Sequence, residues 1–442
     1  VLKTFTQGGV HPPEHKLSAG AAIQPLPVTG TVAILLSQHL GAPAKPVVNK
    51  GDKVITGQLI GKAEGFVSSN IHASVSGKVA RIDEVIDISG YKRPAIIIDA
   101  DGDDWIDTID TSKAVIKDIS LTGEEIIRRI AESGIVGLGG ATFPTHVKLT
   151  IPRGKKADCI IINGVECEPY LTSDHRLMLE NGEEIMVGIE MLKIALQVKI
   201  AHIGIECNKP DAIRHLEKLA AGFNGIKVHP LKVKYPQGGE KQLIRAITKR
   251  EVPSGGLPID TGTVVFNVGT VFAIYEAVQK NKPMFERVVT VTGISVPKPS
   301  NFRVRIGTPV SAIIDAAGGL PDDAGKVISG GPMMGKALPQ IGIPVVKGSS
   351  GIVVLPSKAS KRGKVESCIR CTKCVSVCPM GLEPYLLMVL SQHNLPDKLE
   401  TEHVMDCIEC GSCSYICPAC RPLLDYIRLG KSNVGKIIRS RK

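Results

Sequence analysis

The chain has 442 residues, a formal net charge of +11, 43% hydrophobic side chains and 4% aromatics. Its length exceeds one ordinary core, so three or four domains are expected, and its hydrophobic share is that of a globular chain. The basic balance fits an anionic nucleotide, an acidic electron carrier or an anionic partner surface, while the absence of interleaved aromatic and basic residues argues against nucleic acid.

Residues 1 to about 22 show no periodicity. His11, Pro12, Pro13 and His15 stand close together, and the double proline reads as a rigid surface loop rather than a metal site. No secretory h-region is recognised at the start, so the thiols are expected to be reduced. From about Ile23 to Ile98, short β-rich runs (Thr31 to Leu36, Lys53 to Ile60, Gly77 to Ile82, Ala95 to Ile98) alternate with turns such as Asn49–Asp52. This rhythm predicts a small β-sandwich. It resembles a lipoyl- or biotinyl-type carrier domain without the lysine of the modification motif, which leaves a structural or docking role.

Thr122 and Glu125 form a T-x-x-E capping box ahead of Ile126, Ile127 and Ile130, which predicts a helix ending at Gly134. Beyond it, apolar and helical runs alternate to about Gln279: Cys159 to Ile162, Gly182 to Leu196, Lys199 to Ile205 and Asp211 to Ala221. That is the pattern of a layered, mostly parallel α/β sheet. Gly262 to Val278 is the nearest approach to a membrane span, but Asn267 and Glu276 interrupt it and it falls short of the roughly 20 apolar residues a span needs. A further β-containing unit follows over about 286–347, with a strand at Val288 to Thr292 and a short helix at Val310 to Ala317.

Inside the α/β region lies Gly137-Leu138-Gly139-Gly140-Ala141-Thr142-Phe143-Pro144-Thr145, followed by Lys148. It matches neither G-x-G-x-x-G nor the P-loop. Two readings stand: a hinge, or a phosphate or flavin cradle in which successive glycines expose N–H groups and allow close approach, with Lys148 as a point charge. The next strand runs into Asn163-Gly164-Val165-Glu166-Cys167-Glu168-Pro169, placing polar residues at the carboxyl edge of the sheet, where open α/β folds bind ligands.

The last quarter repeats one cysteine spacing. Cys368, Cys371, Cys374 and Cys378 precede Pro379, and Cys407, Cys410, Cys413 and Cys417 precede Pro418. Each copy reads C-x2-C-x2-C-x3-C-P, the bacterial two-cluster ferredoxin run, whose fourth cysteine ligates the other cluster. Two [4Fe–4S] clusters are therefore expected, on Cys368, Cys371, Cys374, Cys417 and on Cys407, Cys410, Cys413, Cys378. Zinc accounts poorly for the third cysteine of each triplet and the trailing Cys-Pro. Cys159, Cys167, Cys207 and Cys420 fall outside both runs. The segment from Arg428 to Lys442 carries six cations and no acid; it reads as a solvated basic tail or a docking element for a partner or lipid headgroups.

Residues 137–145, 163–169 and Asn267-Val268-Gly269-Thr270 resemble the NADH- and FMN-binding subunit of respiratory complex I. The full order, including Gly8-Gly9-Val10-His11-Pro12-Pro13, resembles the C subunit of the Rnf family more closely. The resemblance covers essentially the whole chain. It implies a multidomain α/β plus β fold: an N-terminal segment and lipoyl-like β-sandwich (barrel-sandwich hybrid) over 1–112, an NADH/FMN-binding α/β domain over 113–284, a small β-grasp-like domain over 285–355, and a helical two-cluster ferredoxin-type module with its basic tail over 356–442. It implies that Gly137, Gly139, Gly140, Lys148, Asn163, Glu166, Asn267 and Thr270 hold FMN. Phe143, Glu168 and Glu240 would meet NAD(H), with Tyr235 and Gly238 lining the pocket. Leu138, Thr142, Val165, Gly239 and Gly269 depart from the complex I pattern.

The resemblance further implies a peripheral electron-transfer subunit on the cytoplasmic face of the cell membrane. It would work between NAD(H), FMN and two clusters, beside an Fe–S partner, in a complex that moves Na+ or H+. An NADH-dependent cobalamin reductase and a non-flavin Fe–S relay or scaffold are the alternatives.

Overall fold

A computed structural model describes residues 2–28 and 30–441. Four structural units follow one another along the chain, and an N-terminal strap crosses three of them.

The first unit stacks two small sheets. One orders Thr31–Leu35, Lys92–Gly102, Ser76–Ile86 and Lys53–Val54, and the other orders Lys45–Pro46, Leu59–Lys62 and Ile71–His72. Alternating inward side chains, among them Ile34, Ile60, Ile71, Ile96 and Ile98, close the sandwich core. The run expected from Lys53 to Ile60 breaks into two strands at Gly57. That residue takes φ +91°, and a Cβ there would lie 2.8 Å from Ile109 Cδ1, so the chain turns where only glycine fits. Ile23–Pro25, grouped with the sandwich by sequence, instead adds in parallel to Ser300–Arg305 of the third unit. It forms the edge of that sheet, where Pro25 forfeits no ladder bond.

The second unit is a parallel sheet ordered Ile226–Leu231, Ile200–Glu206, Cys159–Asn163, Thr263–Asn267. Both faces are covered, which is why its central strand reads as an unbroken apolar run. The helices Gly123–Glu132, Gly182–Leu196 and Val268–Gln279 pack together in the larger core, while Glu240–Thr248 joins a separate cluster with Ile161, Val165 and Val265. The predicted capping box is present: Thr122 Oγ1 accepts from Glu125 N, and Thr122 N donates to Glu125 Oε2 at 2.8 Å.

The third unit is a six-stranded mixed sheet with the helix Val310–Ala316 over a core of Val289, Val291, Phe302, Ile313 and Ile352. Its junction with the second unit is ionic. Buried Glu286 accepts from Lys282 at 2.6 Å and from Arg303 at 3.2 Å, and these cations overcome burial and hold its carboxyl at about 2. A fully buried lysine, Lys347, joins the first three units by donating to the carbonyls of Asn70 at 2.7 Å and Gly134 at 2.6 Å.

The fourth unit is helical. Each cysteine run carries one short helix, Lys373–Ser376 or Ser412–Ile416, and the longer helices Pro384–Gln392 and Leu423–Ser440 pack together beside them. The basic C-terminal segment is therefore helical through Ser440 rather than a solvated tail. Leu423, Ile427 and Val434 bury one face, Lys431 Nζ donates to the Cys407 carbonyl at 2.5 Å, and Arg428 pairs with Glu409 at 3.0 Å. Its charge content concealed an amphipathic period.

Candidate functional site

The parallel sheet determines where the glycine loop sits. Asn163 and Asn267 are register partners at the carboxyl ends of adjacent strands. Asn267 also caps the next helix, its Oδ1 accepting from Gly269 N at 2.8 Å and Thr270 N at 3.3 Å. The glycine loop lies over this helix start. Leu138 N donates to Thr270 Oγ1 at 2.9 Å, and a Cβ at Gly139 would stand 2.9 Å from Asn267 Cβ. Gly137 N donates to Phe143 O at 2.9 Å and closes the loop, leaving Gly139 and Gly140 exposed, with open space at the Cβ position of Gly140.

Lys148 Nζ pairs with Glu240 Oε1 at 2.6 Å and lies 5.6 Å from the centre of the Phe266 ring. Asn163 Nδ2 donates to Gly238 O at 2.8 Å. Phe143, 36% exposed, stands at the rim. Open backbone N–H groups, a cation and a helix N-terminus converging on one sheet edge fit FMN, with its phosphate and planar ring.

Glu166 takes a supporting place. Its φ is +46°, and its carboxylate accepts from Asp174 N at 2.8 Å and His175 N at 3.2 Å, capping the helix Ser173–Glu180. Asp174 Oδ2 in turn accepts from Asn267 Nδ2 at 2.6 Å. Burial, with Glu166 nearby, pushes the Asp174 carboxyl up to about 7.

Three further residues face the cysteine module or the third unit. Both oxygens of Glu168 accept backbone N–H groups, from Met333 at 3.1 Å and Met334 at 2.8 Å, and burial pushes its carboxyl up to about 7. Tyr235 is 2% exposed and its Oη donates to the Cys410 carbonyl at 2.7 Å. Gln242 Nε2 approaches Pro379 O at 3.4 Å and Met380 Sδ at 3.2 Å. The unit that carries the glycine loop and one end of the cysteine module therefore share an interface.

The eight cysteines fall into unlike surroundings. Cys378, Cys407, Cys410 and Cys413 line one cavity, closed by apolar side chains including Leu387, Leu424 and Ile427. Burial pushes the Cys413 thiol up to about 12, and neighbouring Cys410, Cys407 and Cys378 add to the shift. Cys368 and Cys371 are exposed on the uncovered segment 361–373, and Cys374 and Cys417 are half-buried. Burial raises Cys374, and Cys417 reinforces it. Among the described residues no three of His, Cys, Asp and Glu gather tightly enough for a single ion. Four thiols spread around one apolar cavity suit a cube, which takes one thiolate per iron.

Several supports carry no local signature and were missed by sequence reasoning. Lys209 Nζ donates to Val165 O at 2.8 Å, and Lys16 Nζ donates to the carbonyls of Glu166, Glu168 and Leu171 at 2.7–2.9 Å. Arg287 donates to Leu138 O at 2.9 Å. Each is far from its acceptor in sequence. Only Lys16, two residues after Pro13-Glu14, lies close to a motif singled out from the sequence.

Comparison with known proteins covers all four units. Family models match residues 3–103 (RnfC barrel sandwich hybrid domain), 130–276 (Nuo51 FMN-binding domain), 288–337 (SLBB domain) and 359–418 (4Fe-4S dicluster domain). The C subunit of the proton-translocating ferredoxin:NAD(+) oxidoreductase complex of Clostridium ljungdahlii is 48% identical over 98% of this chain and 94% of its own length. The C subunit of the Na(+)-translocating ferredoxin:NAD(+) oxidoreductase complex of Acetobacterium woodii is 47% identical over 97% of this chain and 96% of its own. An NAD+-reducing [NiFe]-hydrogenase in the H2-reduced state shares the fold, with a TM-score of 0.50 at 16% identity over 72% of this chain and 61% of that one. Identity near one half along nearly the full length of these relatives places the chain in the family of C subunits of ion-translocating ferredoxin:NAD(+) oxidoreductase complexes.

Proposed function

We propose that this chain is the peripheral subunit that passes electrons between NAD(H), FMN and two [4Fe–4S] clusters in an Rnf-type complex coupled to Na+ or H+ movement. The observation that carries this reading is the contact between the unit bearing the glycine loop and the module bearing the buried cysteine quartet, from Tyr235 to Cys410 and from Gln242 to Pro379. Among the described residues no helix is long and apolar enough to cross a membrane, which supports attachment through other subunits, and we assign it to the cytoplasmic face.

FMN, when bound, supplies the exchange between a two-electron hydride and single electrons. The protein supplies binding and placement. Gly139 and Gly140 present backbone N–H groups, Gly137 closes the loop that holds them by donating to Phe143 O, and Lys148, Asn163, Asn267 and Thr270 add the polar contacts. Glu166 acts on this set by holding Asp174 against Asn267. Phe143 and Glu240 meet the nicotinamide nucleotide at the rim, with Gly238 behind them. Glu168 and Tyr235 form the wall between nucleotide and cysteine module. Cys407, Cys410, Cys413 and Cys378 hold the cluster nearer the flavin, and Cys368, Cys371, Cys374 and Cys417 hold the outer one, where the Fe–S partner docks.

The test is anaerobic titration of the chain reconstituted with FMN, iron and sulfide. Stoichiometric FMN uptake and bleaching by NADH are expected. Full cofactor loading with no response to NADH would overturn the reading and favour a relay. Glu168→Gln is expected to weaken nucleotide binding with FMN content nearly unchanged, and equal loss of both on folded protein would remove Glu168 from the nucleotide side.

A further inference from the structure

The Gly8-Gly9-Val10-His11-Pro12-Pro13 motif has no part in the site described above, yet its surroundings are specific. Gly8 adopts φ +64°, and a Cβ there would lie 2.5 Å from the carbonyl carbon of Cys378 and 2.6 Å from Val377 O. Gly9 N donates to Val377 O at 2.8 Å. Val10 and Tyr235 exchange backbone bonds at 2.8 and 2.9 Å, and it is Tyr235 whose hydroxyl reaches Cys410 O. Gln7 is packed so closely on Gly381 that a Cβ at that glycine would stand 2.4 Å from Gln7 Nε2.

A few residues on, the same segment grips the flavin side. Tyr170 N donates to Glu14 O at 2.8 Å. Lys16 Nζ places its three donors on the carbonyls of Glu166, Glu168 and Leu171, so one ammonium holds three points of the loop that follows Asn163. Ser18 Oγ then meets Thr172 Oγ1 at 2.6 Å. Between the two grips lie Pro12 and Pro13, which restrict the backbone and limit slack.

We propose that residues 4–18 form a positioning strap that sets the buried cysteine quartet against the flavin loop, with Gly8 and Lys16 as its two fixed points. The strap touches the backbone of one ligand residue, Cys378, and that of Val377 before it. Through Tyr235 it also supports the residue bonded to a second ligand, Cys410. Its far end holds the backbone of Glu166 and Glu168. A shift at either fixed point is thereby transmitted to the other site without change in any ligand. The strap is made of positioning residues, since none of its side chains is assigned to a cofactor. The proposal rests on the electron-transfer reading for its kinetic consequence alone.

The test uses the full chain loaded with FMN and both clusters, as Gly8→Ala and Lys16→Met. In Gly8→Ala, iron content and flavin bleaching by NADH are expected to stay at the parent level. Reduction of the buried-quartet cluster slows about tenfold or more, as misplacement does elsewhere, and its EPR spectrum changes while that of the outer cluster does not. Parent-level cluster reduction with an unchanged spectrum would overturn the proposal. Should Gly8→Ala not fold, hydrogen exchange on Lys16→Met decides. The strap predicts faster exchange at 165–172 and also at 377–382, on the far side of the two prolines, whereas faster exchange at 165–172 alone would show a local bond and refute it. Exchange needs no NADH response, so failure of the electron-transfer reading is distinguishable from failure of the strap.

Discussion

The two cysteine runs share one spacing, yet the fold gives their quartets opposite surroundings. Cys378, Cys410 and Cys413 are only 7–8% exposed, in a cavity walled by leucines and isoleucines and pressed against the flavin unit. Cys368 and Cys371 sit on an uncovered stretch with Lys361, Arg362, Lys364, Arg370 and Lys373, and with Val365 and Ile369 more than half exposed. Spacing sets which cysteines can share a cube, and packing against other units sets what that cube faces. Solvent exposure and hydrogen bonding to sulfur tune cluster potentials, so two identical motifs are expected to work at different potentials. The buried quartet faces inward to the second unit, and Cys368 and Cys371 stand outward among exposed cations.

The largest expected effect would break this comparison outright. Cys410→Ser removes the inner cluster and should abolish NADH-driven reduction of the outer one, whereas Cys371→Ser should leave the inner cluster reducible. EPR of each loaded variant under NADH checks this, and outer-cluster reduction at the parent rate in Cys410→Ser would contradict the order.

A smaller effect sharpens the contrast in exposure. In cofactor-free folded protein, iodoacetamide should modify Cys368 and Cys371 at least about tenfold faster than Cys410 and Cys413, because the outer pair is exposed while burial shields the inner thiols and raises their pKa. Peptide mass spectrometry reads the sites, and equal labelling would show that the inner cavity is open.

On the flavin side, Asn267→Ala removes a helix cap and the contact to Asp174. The expected cost is about 1 kcal/mol of stability, together with weaker FMN retention at unchanged iron content, measured by denaturation and cofactor analysis. Iron loss in step with flavin loss would mean that the two sites are not separable.

The last effect concerns a residue remote from both quartets. Burial pushes the Lys347 ammonium down to about 7, against about 10.4 in the unfolded chain. Between those values the unfolded state holds a proton that the folded state has released, so this residue's contribution makes stability rise with pH from about 7 to about 10.4 and flatten below. Lys347→Met should remove that slope in denaturation measured across pH, with cluster spectra unchanged. An unaltered slope would refute the shift, and altered spectra would show that loosening this junction reaches the quartets.

What was legible in the sequence was what neighbours in the chain decide. The capping box at Thr122 and Glu125, the helix Gly182–Leu196 and both cysteine runs are set by local spacing, and the structure contains them. The glycine loop was legible as a hinge or a cradle, and folding adds that it lies over the start of the helix capped by Asn267. Ile23–Pro25 was grouped with the wrong sheet, because its partner Asn301–Arg303 lies nearly 280 residues away. The supports Lys16, Lys209, Arg287 and Lys347 act on carbonyls brought near only by folding. For the same reason, nothing in the repeated spacing separates an inner quartet from an outer one.

The most direct test of the inward-to-outward order is rapid-freeze EPR after mixing the fully loaded chain anaerobically with NADH, with each signal assigned from Cys371→Ser and Cys410→Ser. The account predicts that the signal of the Cys378, Cys407, Cys410 and Cys413 cluster rises first and that the outer signal follows. Appearance of the outer signal first, or its appearance at the parent rate when the inner cluster is missing, would contradict it.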